Sequence, residues 1–204
     1  MTILSRVAVL VCVLLVRTLL PGQNTIPEHK STSESSVNHD SLTIQDFAKS
    51  VDEYVKLRKQ AEAGLSPRKS GTSASEIKQY QASLARAIRS ARTQAQLGDV
   101  FTAPVAQLFR QLIAMPFEGG DAAKIRASLL HAEPVRGLKL EVNGDYPQVS
   151  ALQSTPPTLL SDLPRLPSEL EYRIVGRELI LLDSTANLIV DLLPDALPAS
   201  RKGR

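Results

Sequence analysis

The chain has 204 residues, of which 43% are hydrophobic and 4% aromatic, with no tryptophan, so we expect one domain with a modest aliphatic core. Its net charge is +3, but loss of residues 1–22 would remove two arginines and leave 24 − 2 = 22 basic against 21 acidic residues. Without residues 1–22 the chain is nearly neutral, so its charge gives no reason to expect nucleic-acid binding. The single cysteine, Cys12, rules out an intramolecular disulfide, so packing must supply the stability.

The N-terminus is typical of an exported protein. Arg6 precedes an apolar run at residues 7–16, which predicts a signal peptide over residues 1–22. The run is shorter than the ~20 residues of a spanning helix. We therefore expect a periplasmic or secreted protein, with inner-membrane anchoring through residues 1–20 as the alternative.

Residues 23–41 are polar and rich in serine, which predicts a disordered tether ahead of an ordered domain at 42–198 and a tail at 199–204. His29 and His39 lie in this tether without a preorganised partner. We expect no metal site there.

Helical periodicity dominates residues 42–132. Thr43, with Asp46 three residues later, predicts a helix start, and the charged side of this first helix should include Arg58. The predicted apolar stripe is Phe47, Val51, Tyr54, Val55 and Leu57, with an end near Ala63 before Gly64.

Ser73 and Glu76 form a stronger capping pattern, which predicts a second and longest helix to about Leu97, where Gly98 stops it. Its expected buried stripe is Ile77, Tyr80, Leu84, Ile88, Ala91 and Ala95. One flank carries Arg86, Arg89 and Arg92. We interpret this flank as a solvated helix face, with an anion-binding patch as the alternative.

Two shorter helices follow. Thr102 and Pro104 predict the start of a third helix, which Met115 and Pro116 end, and Asp121 predicts a fourth helix to about His131. The residues of the third helix expected to face inward are Val105, Leu108, Phe109, Leu112 and Ile113. Gly119-Gly120 lacks the lysine and hydroxyl residue of a phosphate-binding loop, and we interpret His131 as a helix-end residue rather than a catalytic one.

The strand-rich part spans residues 135–193. Alternation at 138–142 before Asn143-Gly144 predicts a strand and turn. Repeated Leu-Pro steps over 152–166 instead predict an extended strap, because proline disrupts helices and central strands. Its leucines should press on the core: Leu159, Leu160, Leu163 and Leu166. The alternative is a groove for a proline-rich partner.

The clearest folded structure is a three-stranded meander over residues 170–193. Gly176-Arg177 suits a type II′ turn that pairs Ile174 with Leu179 and Tyr172 with Leu181. A second loop at residues 184–187 should then pair Leu181 with Val190 and Leu179 with Leu192. One face of this sheet is apolar and needs the helices as cover. The predicted fold is therefore α+β, with three to four helices as an antiparallel helical array packed on the meander.

Few chemistries have the residues they need. Outside the tether His131 is the only histidine, and no serine-nucleophile elbow or zinc-ligand spacing occurs. A glycan hydrolase needs only two acids, and Asp183, Asp191 and Asp195 could converge at one end of the meander. Our interpretation is that Asp183 and Asp195 are turn residues and Asp191 lies on the exposed face, so we expect no catalytic, cofactor or metal site.

Three C-terminal stretches have a recurring hairpin pattern: residues 172–176 read Tyr-Arg-x-Val-Gly, residues 179–183 read Leu-x-Leu-x-Asp, and residues 189–190 read Ile-Val. These stretches resemble the terminal hairpin of small periplasmic bacterial families, including nickel/cobalt-homeostasis accessory proteins. The chain as a whole resembles exported bacterial proteins. This resemblance implies no site residues, but it does suggest metal homeostasis as one possible role.

The leading functional hypothesis is a non-enzymatic exported protein that binds or structurally contacts a protein or another envelope component. One alternative is a small hydrolase of envelope polymers that uses carboxylates, and the other is a periplasmic metal-homeostasis accessory protein.

Overall fold

The computed structural model describes residues 32–66, 73–130, 139–147 and 156–199, in which four α-helices precede one three-stranded antiparallel sheet. The predicted α+β class is confirmed. The helices and strands are α1 (Thr32–Ala63), α2 (Ala74–Ala91), α3 (Ala103–Ala114), α4 (Ala122–Leu130), β1 (Leu170–Val175), β2 (Glu178–Asp183) and β3 (Leu188–Leu193). The predicted leader lies outside the described residues, and no described helix is long and apolar enough to cross a membrane.

Helix α1 begins much earlier than the sequence analysis predicts. It starts at Thr32, so residues 32–41 are helical and the predicted tether is wrong over this range. No glycine or proline occurs between Thr32 and Ala63, and polar residues extend a helix readily once a packed segment has nucleated it. Thr43 is therefore a buried interior residue, and its Oγ1 donates to the His39 carbonyl oxygen at 3.0 Å rather than capping the helix.

The buried face of α1 contains a charged residue. Phe47, Val51 and Tyr54 are buried as predicted, but Arg58 continues the same stripe and is only 4% exposed. The spacing of these four residues, alternately four and three positions, keeps them on one face of a helix. The assignment of Arg58 to the solvated side was wrong.

Helix α2 begins as predicted and ends early. Both hydrogen bonds of the Ser73–Glu76 capping box are present, but the helix stops at Ala91 with Arg92 as its C-terminal cap. The following turns carry the chain to Gly98, whose φ of 89° favours glycine. Leu84 and Ile88 are fully buried, whereas Ile77 is 43% exposed because the first turn of α2 lies outside the core.

Helices α3 and α4 follow the prediction closely. Pro104 lies in the first turn of α3, although the Thr102 side chain makes no capping hydrogen bond. A 3₁₀ turn at Met115–Phe117 ends α3, and α4 follows Asp121. His131 lies outside the described residues.

The first hairpin has the predicted register. Ile174 pairs with Leu179 and Tyr172 pairs with Leu181. Gly176 has a φ of 60°, as the first central position of a type II′ turn requires.

The second hairpin contains a bulge that the alternation pattern does not indicate. The predicted loop at residues 184–187 is present, since Asp183 pairs with Leu188, but the register shifts between Leu181 and Leu182. Leu181 therefore pairs with Asp191 instead of Val190, and Leu179 pairs with Leu193 instead of Leu192. A bulge places two residues of one strand opposite one residue of the other. The residues of β3 that follow the bulge therefore lie on the face of the sheet opposite to the one that the alternation predicts.

The sheet packs on two sides. One face joins the helices in the main core through residues that include Ile174, Leu179, Leu188 and Val190. The opposite face forms a second apolar cluster of Val175, Ile180, Leu182, Ile189 and Leu192, covered in part by Leu140, Val142 and Tyr146.

The segment that covers this second face is not a strand. Residues 139–142 make no ladder pairing, so the strand predicted at 138–142 is absent from its described part, and Asp145 makes an isolated bridge to Leu188. Asn143 has a φ of 63° and is the third residue of a turn that the Gly144 amide closes by donating to the Glu141 carbonyl oxygen at 2.9 Å. In the described part of the proline-rich strap the leucines press on the core as predicted, because Leu159 and Leu163 are buried and Leu160 and Leu166 pack against the main core. The predicted extended conformation is wrong at Pro157–Leu159, which form a short 3₁₀ helix.

Candidate functional site

The fully buried carboxylate of Asp183 joins the end of β2 to α1. Its Oδ2 accepts hydrogen bonds from the Tyr54 hydroxyl at 2.9 Å and from Arg58 Nε at 2.8 Å. Its Oδ1 accepts from the Ala186 amide at 2.8 Å, which closes the β2–β3 loop. A buried charge is tolerated when it is paired and hydrogen-bonded, and the Asp183 carboxylate meets both conditions.

This network extends to the surface. Arg58 Nη1 contacts Glu62 at 2.6 Å, and the Tyr80 hydroxyl donates to the other Glu62 oxygen at 2.5 Å. These three side chains, with Lys59 and Thr185, line an open groove of about 690 Å³. Arg58 therefore borders this groove, while its partner Asp183 is fully buried.

Burial and charge shift two pKa values in this network. Burial raises the pKa of Tyr54 strongly, and the neighbouring Asp183 carboxylate raises it further, so this phenol stays neutral at physiological pH. Burial alone would lower the pKa of Arg58, but Asp183 and Glu62 outweigh it and raise that pKa. The cluster therefore consists of a fixed cation, a neutral phenol and two carboxylate groups.

Asp191 forms a second, separate connection. Its Oδ2 accepts from the amides of Val100 and Phe101, both at 2.8 Å, and its Oδ1 accepts from Gly98 at 3.0 Å and from the Leu192 amide at 2.8 Å. The carboxylate thus acts as an acceptor for the loop that leads from α2 to α3. Asp191 is fully buried, and the prediction that it lies on an exposed face was wrong, because the bulge reorients it.

Asp195 lies apart from both. It pairs with Arg177 at 3.2 Å and is largely exposed, at the end of the meander that holds the β1–β2 turn. Burial raises the pKa of the neighbouring Glu178, and the charge of Asp195 raises it further.

The three aspartates therefore do not converge. Asp183 pairs with Leu188, and Asp191 follows Leu188 by three residues, so the two carboxylates belong to positions about 10 Å apart along the sheet. Each also has its own set of partners. This arrangement does not provide two carboxylates facing one bound sugar.

The arginine flank of α2 binds the chain itself. Arg89 Nε donates to the Asn143 carbonyl oxygen at 2.7 Å, and its Nη2 contacts Asp145 Oδ1 at 2.5 Å. Arg92 donates to Val190 O at 3.0 Å and to Asn143 Oδ1 at 3.2 Å. The expectation of a purely solvated face was wrong for these two arginines, whereas Arg86 is exposed.

Arg92 also connects this region to the Asp183 network. Its guanidinium carbon lies 5.2 Å from the centre of the Tyr54 ring, within range of a cation–π interaction. Tyr54 in turn donates to Asp183. Burial lowers the pKa of Arg92, although nearby acidic groups oppose this effect.

Within the described ranges, no group of three or more histidine, cysteine or acidic residues is arranged to hold a metal ion. His39 is exposed on α1, while His29 and His131 lie outside those ranges.

Sequence reasoning missed Tyr54, Arg58 and Asp191 as a set of polar connectors, although two signals were present. Arg58 falls on the apolar stripe of α1, and Asp191 is the only polar residue within the strand LIVDLL. A polar residue in an apolar pattern predicts a bonded buried group. Its partners could not be named, because they lie about 90 residues away or further in the chain.

Comparisons with known proteins give no relative: no protein-family model, no curated protein and no solved structure matches the chain.

Proposed function

We propose that this chain is a non-enzymatic exported protein that acts by binding or structural contact in the cell envelope. One observation carries the non-enzymatic part. The two most shielded carboxylates, Asp183 and Asp191, are occupied by hydrogen bonds that join α1 and the 98–101 loop to the sheet. Carboxylates that are held in this way stabilise the fold, so we place the function on the surface of the protein.

The export part of the proposal rests on the sequence. Arg6 followed by the apolar run at residues 7–16 has the order of a signal peptide. An exported protein of near-neutral charge would meet its partners through shape and local groups rather than through a strong long-range field.

In vivo photo-crosslinking tests this proposal. A photoreactive amino acid would replace Leu42 or Leu97, which are 60% and 57% exposed, or the fully buried Leu84 as the matched control. We expect crosslinked products in the envelope fraction from the two exposed positions and none from Leu84. Recovery of the native protein only from the cytosol, or identical product patterns at all three positions, would contradict the proposal.

The hydrolase alternative makes a different prediction. If Asp183 or Asp191 were catalytic, replacing both by Asn would abolish hydrolysis of an envelope polymer by the folded protein. Under our proposal the wild-type protein releases no soluble fragments from purified cell-wall material. Fragment release by the wild type that is lost in the folded double variant would establish the alternative.

A further inference from the structure

The groove beside the buried ion pair is built by three separate parts of the fold. Helix α1 forms most of it, α2 contributes Tyr80, and the β2–β3 loop contributes Thr185. Its volume of about 690 Å³ lies within the range of small-molecule sites. The residues that line it are Arg58, Lys59, Glu62, Ala63, Leu65, Tyr80 and Thr185.

The fully buried Asp183 fixes two of these three parts. Its Oδ2 accepts from Arg58 Nε at 2.8 Å, and its Oδ1 accepts from the Ala186 amide at 2.8 Å, next to Thr185 in the loop. Glu62 connects the third part, because one of its oxygens accepts from Arg58 Nη1 and the other from the Tyr80 hydroxyl. A site that is held in this way binds a ligand with less ordering cost.

The polar groups that a ligand can reach in this groove are donors. Arg58 Nη2 makes no hydrogen bond with the described residues, and those residues contain no buried side-chain nitrogen or oxygen without a partner. This nitrogen therefore reaches solvent, although Arg58 as a whole is only 4% exposed, and the groove is the surface that Arg58 borders. The Lys59 ammonium and the Thr185 hydroxyl also line the groove and have no ion pair or side-chain hydrogen bond within the described ranges.

The balance of charge limits the kind of ligand. Arg58 and Lys59 are cations, and Glu62 and Asp183 are anions whose oxygens already accept hydrogen bonds. Four charges that cancel give little long-range attraction for a cation or for a doubly charged anion. A single carboxylate fits best, because a guanidinium nitrogen and an ammonium can donate to it directly.

We propose that this groove binds a small organic acid that carries one carboxylate on an apolar body. The carboxylate accepts hydrogen bonds from Arg58 Nη2, Lys59 Nζ and the Thr185 hydroxyl. The apolar body lies against Leu65 and the ring of Tyr80, as the lining of the groove requires. This inference goes beyond the proposed function, since it needs neither export nor a macromolecular partner.

Amide NMR spectra of the full chain, recorded while phenylacetate is added, test this inference. We expect saturable shifts with a Kd of about 1 mM, which is reasonable for so small a ligand. The shifts should be largest for residues 58–65 and for Thr185. Phenylacetamide has the same shape without the charge and should bind at least about tenfold more weakly.

Two exposed lysines of α1 provide a matched pair of variants. Lys59 lines the groove, whereas Lys56, three residues earlier, does not. Lys59→Gln should weaken phenylacetate binding by about fivefold or more, and Lys56→Gln should leave the Kd unchanged. Thr185→Val, which removes only a hydroxyl, provides a second test that leaves the buried Arg58–Asp183 pair intact.

The proposal would be overturned by the absence of saturable shifts up to about 20 mM phenylacetate, or by shifts that map to another surface. Equal binding of phenylacetamide, or equal effects of Lys59→Gln and Lys56→Gln, would also overturn it. Phenylphosphonate should bind no more tightly than phenylacetate, and tighter binding would refute the assignment to a carboxylate. None of these outcomes changes the envelope crosslinking result, so the proposed function is tested separately.

Discussion

Arg58 and Asp183 are 125 residues apart in the chain and form a buried hydrogen-bonded ion pair of 2.8 Å. The pair joins the C-terminal half of α1 to the end of β2, and the side chains are only 5% and 0% exposed. Removing two charges from water is costly, and this cost is offset only when the remaining polar atoms are satisfied. Tyr54, Glu62 and the Ala186 amide provide that satisfaction.

Asp183→Leu should destabilise the protein by about 3 kcal/mol or more, because it leaves Arg58 buried without its main partner. Urea denaturation at neutral pH measures the free energy of unfolding. The control is Glu171→Ala, which removes an exposed ion pair with Arg173 and should cost less than about 1 kcal/mol. Equal effects of the two substitutions would contradict the role given to Asp183.

Asp191→Ala should be more damaging than Asp191→Asn. The alanine leaves the amides of Gly98, Val100 and Phe101 without their acceptor, and each buried unsatisfied donor costs about 1–3 kcal/mol. Asparagine retains one carbonyl oxygen as an acceptor, so the stability of Asp191→Asn should lie between that of the wild type and that of Asp191→Ala. The order of midpoints in urea checks this prediction, and an alanine variant as stable as the asparagine variant would refute it.

Glu178→Gln should stabilise the protein at neutral pH. Burial and the charge of Asp195 raise the pKa of Glu178 above its usual value of 4.5, so the folded state favours the protonated carboxyl. The stability linked to this group is fully present below pH 4.5 and is lost as the pH rises through the folded-state pKa. Glutamine mimics the protonated form at every pH.

The free energy of unfolding of both proteins should therefore be measured from pH 4 to pH 7. We expect the advantage of Glu178→Gln to grow as the pH rises. An advantage that is constant or shrinks over this range would show that the charge of Glu178 is not the cause.

Leu84→Ala and Ile77→Ala compare how the middle of α2 and its first turn contribute to stability. Both residues belong to the predicted apolar stripe, but Leu84 is fully buried and Ile77 is 43% exposed. Truncating Leu84 should cost about 2–5 kcal/mol, whereas truncating Ile77 should cost less than about 1 kcal/mol. Similar losses from both substitutions in thermal or chemical denaturation would show that the first turn of α2 also packs in the core.

The sequence was sufficient for features that depend on neighbouring residues. The β1–β2 register follows from alternation and from Gly176, and the start of α2 follows from Ser73 and Glu76, because all of these signals act over a few positions. The helical cover of the apolar sheet face was also predictable, since Leu179 and Leu181 required burial.

Features set by distant contacts could not be predicted. The bulge in β3 turns Asp191 toward the amides of Val100 and Phe101, about 90 residues earlier in the chain. The alternation of apolar and polar residues along a strand gives no sign of such a bulge. Helix α2 ends where distant contacts begin, since its cap residue Arg92 binds Asn143 and Val190 through its side chain. The helix start at Thr32 was missed because its polar composition resembles that of a linker.

Hydrogen exchange followed by site-resolved NMR tests most directly whether the buried Asp191 binds the loop between α2 and α3 to the meander. In the wild type, the amides of Val100 and Phe101 should be protected as strongly as those of β3, since Asp191 accepts both at 2.8 Å. In Asp191→Asn their exchange should accelerate by at least about tenfold while the β1–β2 hairpin keeps its protection. Rapid exchange of these two amides in the wild type would contradict the account.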